Sequence, residues 1–568
     1  MAAKAPDKNQ RQKQASIRLV VMAAILICIN ILASYFHTGL DLTSDSRFTL
    51  SKSTTTVLKN MKEVAVIEVY LKGQFPAGLQ RLQEAVRERL RSFKEIAGNK
   101  IVFKFTDPLE GKTDEEKKLI VHNLDQKGIR FLNLENSEEG KYSNQPFFPY
   151  ALVQYNGREI PVVLVEDPPG KSGAEKVSYA EAVLEYKFAS AINALSHATR
   201  PRIAYITGND EELGIKSYYM LGSLPRFYDL DTVDLAHSNF ISLAYDAIII
   251  NQPLKPFSVA EMLRIDQYIM RGGKVLWAIN SLNASLDSLK TSAQFIAMKN
   301  DLNLDELTFK YGFRVNNDLI EDKLCMQLGR TNNGEQTSRR DWIYFPRLYP
   351  TSEHIIVRNM DFILGGFTNS IDTIKSSGIK KTILLSSSKL SRTSMAPLRV
   401  SLSVMNYPML DEQFNKPYRT CAILLEGKFH SVYQNKLAPE SLKFMDSLHM
   451  SYKPECDSAT KMIVTSVGDI FNNDYTTRDG VLPLGYYKWT GEYFSNRNFL
   501  LNCLEYLTDN SGVLESRSKQ VKLRLLDASR AKKEKTTWQV VNVGIPIAMV
   551  LVFASCYLFF RKRKYENK

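Results

Sequence analysis

Residues 245–280 read YDAIIINQPLKPFSVAEMLRIDQYIMRGGKVLWAIN. Tyr245–Asn251 is an apolar, β-branched run with the length of a strand buried on both faces, and Lys274–Asn280 repeats the pattern. Between them Ser258–Arg271 has the spacing of an amphipathic helix, stopped by Gly272-Gly273. Strand, helix, strand in this rhythm predicts a parallel sheet covered by helices on both faces.

Working outward, Arg202–Thr207 (RIAYIT), closed by Gly208, is a short strand, and Thr232–Leu235 is another. Downstream, TILLSS (382–387), YRTCAILL (418–425) and KMIVTS (461–466) add strands, while NNGEQTSRR (332–340) reads as a loop. Phe494–Leu507 reads as a helix with Cys503 on its core face. The α/β arrangement over 200–512 looks like the class I glutamine amidotransferase-like, or flavodoxin-like, fold. Open sheets of this kind bind ligands outside the carboxyl ends of their strands. That edge is expected to carry Gly208, Asp210, Glu211, Asn251 and Asn280 as candidate ligand-binding loop positions, with Asp210 and Glu211 as polar ligands.

Residues 43–198 read as a separate domain. Ser51 is placed as a helix cap. Val64–Leu71 and Ile101–Phe105 are strands, and Leu79–Ile96 has apolar residues at helical spacing. Asp114–Lys127 is a second helix. Ala151–Tyr155 and Glu159–Val165 form a hairpin around Asn156-Gly157, a strong turn signal. Tyr179–Leu195 closes the unit. The order β-α-β-α-β-β-α matches the thioredoxin fold, but the position that carries the redox CxxC in that family reads KGQFPAG, so the resemblance is architectural. Pro169-Gly170-Lys171-Ser172 is not a phosphate loop, because Val165 stands where a Walker motif needs glycine.

The ends are apolar. Trp538–Phe560 holds 23 residues without a charge, ~35 Å of helix at ~1.5 Å per residue, enough to span a hydrocarbon core. Leu19–Phe36 is an 18-residue apolar run behind the basic leader 1–18, read as an uncleaved span rather than a signal peptide, since Ile31 spoils the cleavage pattern. Five basic residues ahead of it place the N-terminus in the cytoplasm, and two spans return the C-terminus there, leaving the main body outside the cytoplasm. Residues 513–535 read as a charged juxtamembrane helix, and 561–568 as a basic cytoplasmic tail. Asn30, Asn542 and Pro546 lie within the spans, where an amide or a proline-freed carbonyl seeks a partner helix. The formal charge is +13, and residues 1–18, 515–535 and 561–568 carry all of it. Basic ends beside apolar segments suit anionic lipid and argue against nucleic acid.

Enzyme signatures are missing. The seven histidines are scattered without HExxH or metal-ligand spacing. There is no CxxC, no GxSxG, and no cysteine after any of the parallel strands. Hence no catalytic residue, cofactor or metal is expected. Cys325, Cys421, Cys456 and Cys503 lie far apart, leaving disulfides or buried thiols open.

Several stretches resemble one family. They are LTSDSRFTLS (42–51), LKGQFPAGLQRL (71–82), FTDP (105–108), LEYKFASAI (184–192), FSVAEMLRIDQYIMRGGKVLWAI (257–279), LLEGKF (424–429), LPLGYYKWTGEYFSNRNFLLN (482–502) and VKLRLLD (521–527). In order and between two spans, they are similar to the GldG-type proteins, gliding-motility-associated auxiliary (candidate substrate-binding) subunits of ABC transporters in Bacteroidota. The family usually carries a GxGE-like turn after the first strand of its second domain; this chain has Gly208-Asn209-Asp210-Glu211. The resemblance implies a non-catalytic periplasmic subunit, partnered by an ABC permease and a cytoplasmic ATPase. The competing expectations are a periplasmic solute-binding protein, or a hydrolase or amidase on the amidotransferase-like fold.

Overall fold

The computed structural model describes residues 17–28, 30, 49–73, 75–127, 129, 131–136, 143–165, 173–197, 199–332, 335–447, 450–477, 479–509, 511–518 and 528–566. The Pro169–Ser172 segment, most of the leader, the second half of the first apolar run and the VKLRLLD stretch lie outside the described residues. The chain divides into two units, 1–520 and 521–568.

Within the first unit, the helix Lys52–Lys59 is capped by the Ser51 side chain. Its leading sheet uses β1 (Ala65–Val69) and β2 (Ile101–Phe105), then β5 (Tyr150–Tyr155) and β6 (Arg158–Val163), in the order β2-β1-β5-β6. β1 runs parallel to β2 and antiparallel to β5, and β5 and β6 form a hairpin. Asn156 and Gly157 at its tip have φ of 53° and 71°, the paired left-handed values of a type I′ turn, which only a residue such as Asn-Gly adopts cheaply. On the helix Ala77–Ala97, Leu82, Val86, Leu90 and Phe93 are buried at the spacing of one face. They pack with β1 and with the helix Gly173–Ser196 into one core. Between β2 and β5 a separate hairpin, β3 (Leu132–Asn136) with β4 (Ser143–Phe147), stands off the main sheet. Leu132 and Leu134 alternate with polar residues on β3 (LNLEN), while β4 (SNQPF) has no alternation and carries a proline.

The sheet of the second body has ten strands. Its parallel half contains β7 (Arg202–Thr207), β8 (Asp229–Asp234), β9 (Ala247–Asn251), β10 (Val275–Ala278) and Thr460–Thr465. These lie side by side as β8-β7-β9-β10-(Thr460–Thr465), all parallel. Taken in chain order that is 2-1-3-4-5. β9 and β10 are buried at every position, as expected of strands covered on both faces. The sheet then continues antiparallel through Thr420–Gly427, Ile379–Ser386, Glu335–Pro350 and Cys325–Asn332. The segment 335–340, expected as loop, belongs to this long hairpin. An antiparallel edge ladder tolerates a polar strand, so the residues NNGEQTSRR concealed it.

The helix Val259–Met270 covers one face of the sheet and begins with a capping box between Ser258 and Glu261. The helix Asn496–Thr508 covers the other, with Phe499, Leu500, Cys503 and Leu504 buried. The chain then turns back: Val513–Ser518 is a short 3-10 segment rather than the start of a charged helix. Val513 is fully buried in the same core as the helices Ala77–Ala97 and Gly173–Ser196, alongside Leu50.

Ile17–Cys28 is a short apolar helix of the first unit. The second unit holds the helix Ala528–Glu566, with Pro546 inside it. Its segment Thr537–Arg563 is the one described helix long and apolar enough to cross a membrane.

Candidate functional site

The strand order reverses between β7 and β9, and the loops following these two strands meet there. Gly208 ends β7 with φ 121°, and a Cβ would lie 3.0 Å from Asp234 Oδ1, so the turn requires glycine. Asp210 follows with φ 59°. The reversal turns Asn209 and Glu211 inward, 2% and 7% exposed, while Asp210 stays outside. Asp210 pairs with Lys255 at 3.0 Å.

The turn is pinned to the β9 loop. Asn209 O accepts from Leu254 N and Lys255 N at 2.9 and 3.0 Å. Asn209 N donates to Glu211 Oε2 at 2.8 Å. Asn209 Nδ2 donates to Pro256 O at 3.2 Å and to Glu261 Oε2 at 3.5 Å. Glu261 Oε2 also accepts from Ser258 N at 2.7 Å, as the return arm of the capping box.

Asn251, fully buried at the end of β9, donates through Nδ2 to Asn472 Oδ1 at 2.9 Å and to Tyr205 OH at 3.5 Å. The Tyr205 hydroxyl donates to Glu212 O at 2.8 Å, linking β9 back to the β7 loop. Asn280, at the end of β10, accepts from Gly468 N and so fastens β10 to the turn after the last parallel strand. It holds the edge together.

Asn209 Oδ1, Glu211 Oε1 and Asn251 Oδ1 are buried without a hydrogen-bond partner. The amide orientations follow from the network, since both Nδ2 groups face acceptors. All three unpaired atoms are acceptors, and buried acceptors without donors cost free energy. Burial pushes the Glu211 carboxyl up to about 7, against its backbone hydrogen bonds and aided by the nearby Glu261 and Asp210 carboxylates. The edge therefore combines negative potential with spare acceptor capacity, which suits a hydrogen-bond donor or a cationic group.

Gly208, Asp210, Glu211, Asn251 and Asn280 thus all lie on the carboxyl edge, but their parts differ. Glu211 and Asn251 carry the spare acceptors, Gly208 and Asn280 shape the edge, and Asp210 is a surface ion-pair member. Asn209 and Glu261 were missed by sequence reasoning. The Ser258-x-x-Glu261 cap was visible in the sequence, but its approach to Asn209 depends on strand order. Asn30 is an exposed helical residue of the first unit, and Asn542 and Pro546 are exposed on the long helix of the second.

The body cysteines do not resemble nucleophiles. Cys325, Cys421, Cys456 and Cys503 are buried free thiols. Cys421 Sγ donates to Arg419 O and Cys456 Sγ to Ile269 O. Burial pushes Cys456 up to about 11 and Cys325 up to about 12, away from the thiolate that attack requires. Trp277, on β10, is fully buried in the core rather than lining a cleft. Among the described residues no group of three or more His, Cys, Asp or Glu is placed to hold a metal ion.

A sequence profile described as an ABC-type uncharacterized transport system matches residues 200–503, and one described as a domain of unknown function matches residues 44–154. No curated protein matches the chain. Among solved structures, the mmIFT52 N-terminal domain is similar at 12% identity and a TM-score of 0.30, covering 54% of this chain and 98% of that one.

Proposed function

We propose, from the premise that this chain belongs to the ABC-type transport system auxiliary family, that it is a non-catalytic subunit anchored beside an ABC permease and a cytoplasmic ATPase. The family match over the whole parallel sheet carries this reading. The apolar helix Thr537–Arg563 supports a membrane anchor, and Leu19–Phe36 is the second span of the same proposal. Both termini are then cytoplasmic, the body is periplasmic, and anionic lipid meets the basic ends. Asn30, Asn542 and Pro546 are proposed partner contacts within the spans. The association with gliding motility and the GldG-type assignment rest on the quoted sequence stretches.

The domain reading draws support from topology. The order β2-β1-β5-β6 with β5 antiparallel is what a thioredoxin-like first domain requires. The 2-1-3-4-5 order favours the flavodoxin-like reading of the second. Buried, carbonyl-bonded cysteines disfavour the amidase alternative. The spare acceptors at Asn209, Glu211 and Asn251 favour a solute-binding role, with Gly208, Asp210 and Asn280 shaping that edge.

Purification of the tagged full chain from native membranes in mild detergent tests the reading. A permease and an ATPase should co-elute in fixed proportion. Elution of the chain alone, under conditions that keep a known transporter complex intact, overturns it.

A further inference from the structure

One opening in the first unit lies away from the strand ends. It lies at the opposite edge of the parallel sheet, where the strands begin, and is walled by the first domain. One face of helix Gly173–Ser196 and one face of helix Asn496–Thr508 are held apart there over a cavity of about 360 Å³. β6 supplies one side, and the segments leading into β7, β8 and β9 supply the rest. The volume falls within the range of small-molecule sites, which favour domain interfaces.

The lining is mostly apolar, with Val183, Phe227 and Leu501 on its three walls. Its carboxylates have internal donors. Glu505 accepts from Tyr186 OH and from Ser190 Oγ, across the interface. Asp246 accepts from Arg202 N, and Asp509 from Ser511. Its arginines are different. Arg200 donates to one carbonyl, Pro225 O, at 2.6 Å. Arg497, half-buried on the helix face that lines the cavity, has no hydrogen bond or ion pair among the described residues. A guanidinium has five donors in a planar fork that fits a carboxylate or phosphate. Lys187, Arg200 and Arg497 balance Asp246, Glu505 and Asp509 in formal charge on the lining, and the guanidinium of Arg497 keeps its donors to spare.

We propose that this interdomain cavity binds a small amphipathic anion, its carboxylate or phosphate group on Arg497 and Arg200 and its short apolar chain against Val183, Phe227 and Leu501. Such a ligand touches both domains and so favours the arrangement in which they are apposed. The inference does not depend on the strand-end loops or on the transporter reading.

The test uses the full chain in lipid nanodiscs, free of detergent, with empty nanodiscs as the blank. Hexanoate and hexyl phosphate are titrated by calorimetry, and hexanol and hexyltrimethylammonium serve as controls of equal chain length. At least one anion should bind at least tenfold more tightly than either control, and which anion wins separates a fatty-acid-like source from a phospholipid-like one. Arg497→Gln and Arg200→Gln should each weaken binding about tenfold, the scale of one lost charge-assisted hydrogen bond. Both variants should melt within a few degrees of the parent, showing that the fold is kept. Equal binding of anion and cation, no binding of either anion, or unchanged affinity in both variants overturns the proposal.

Discussion

Replacing Glu211 with Gln tests the electrostatics of the strand-end turn. The carboxyl sits at about 7 in the folded chain against an ordinary value of 4.5, mainly because it is buried. Each tenfold change in proton affinity is worth ~1.4 kcal/mol, so the whole difference is worth at most about 3 kcal/mol. The folded chain holds this proton more tightly than the unfolded chain does. The contribution is therefore complete below pH 4.5 and is lost as pH rises through about 7. Gln keeps the shape, can still accept from Asn209 N, and carries no charge. The two proteins should nearly coincide at pH 4.5, and at pH 8 the variant should be the more stable by up to about 3 kcal/mol. For a unit of roughly 500 residues the unfolding entropy is roughly 1 kcal/mol per degree, so the melting point should rise by about 3 °C. Thermal scans of parent and variant in nanodiscs across pH 4.5–8 measure this. A gap that does not change with pH, or a variant less stable at pH 8, refutes the argument that burial governs this carboxylate.

Two further outcomes are expected. Asp266 is fully buried and accepts from Tyr311 OH, Val432 N, Ser431 Oγ and Gln267 Nε2; Asp266→Ala orphans these donors and should cost about 3–5 kcal/mol, with Asp266→Asn costing visibly less, as read from melting points. Leu504, fully buried in the larger core, should lose about 2–5 kcal/mol on truncation to Ala, and a loss under 1 kcal/mol in denaturant titration would mean that the helix Asn496–Thr508 packs more loosely than described.

How much was legible depended on which side of an element faced solvent. β9 and β10 announced themselves because strands covered on both faces are continuously apolar, and the Asn156-Gly157 turn because its backbone demands those residues. The segment 335–340 carries no such pattern, so it passed as a loop. Glu211 could be singled out by its place after a strand. Its neighbours Asn209 and Glu261 could not, because their meeting depends on β9 lying next to β7, a pairing that no local pattern encodes. The interdomain cavity was invisible for the same reason. Arg200 and Arg497 are ordinary surface residues until two distant helices are brought face to face.

The return of Val513 to the core that also holds Leu50 has a mechanical meaning. Ser51 N bonds to Glu185 at 2.7 Å on the helix Gly173–Ser196, and Asn193 of that helix bonds to Ser511 at 3.2 Å. The chain therefore comes into the folded body and departs from it along a single helix. Tension delivered through both ends would run a short circuit through that helix and leave the ten-stranded sheet unloaded. A body pulled by both ends in this way would swivel instead of stretching, so the strand-end loops would keep their shape while their direction changes.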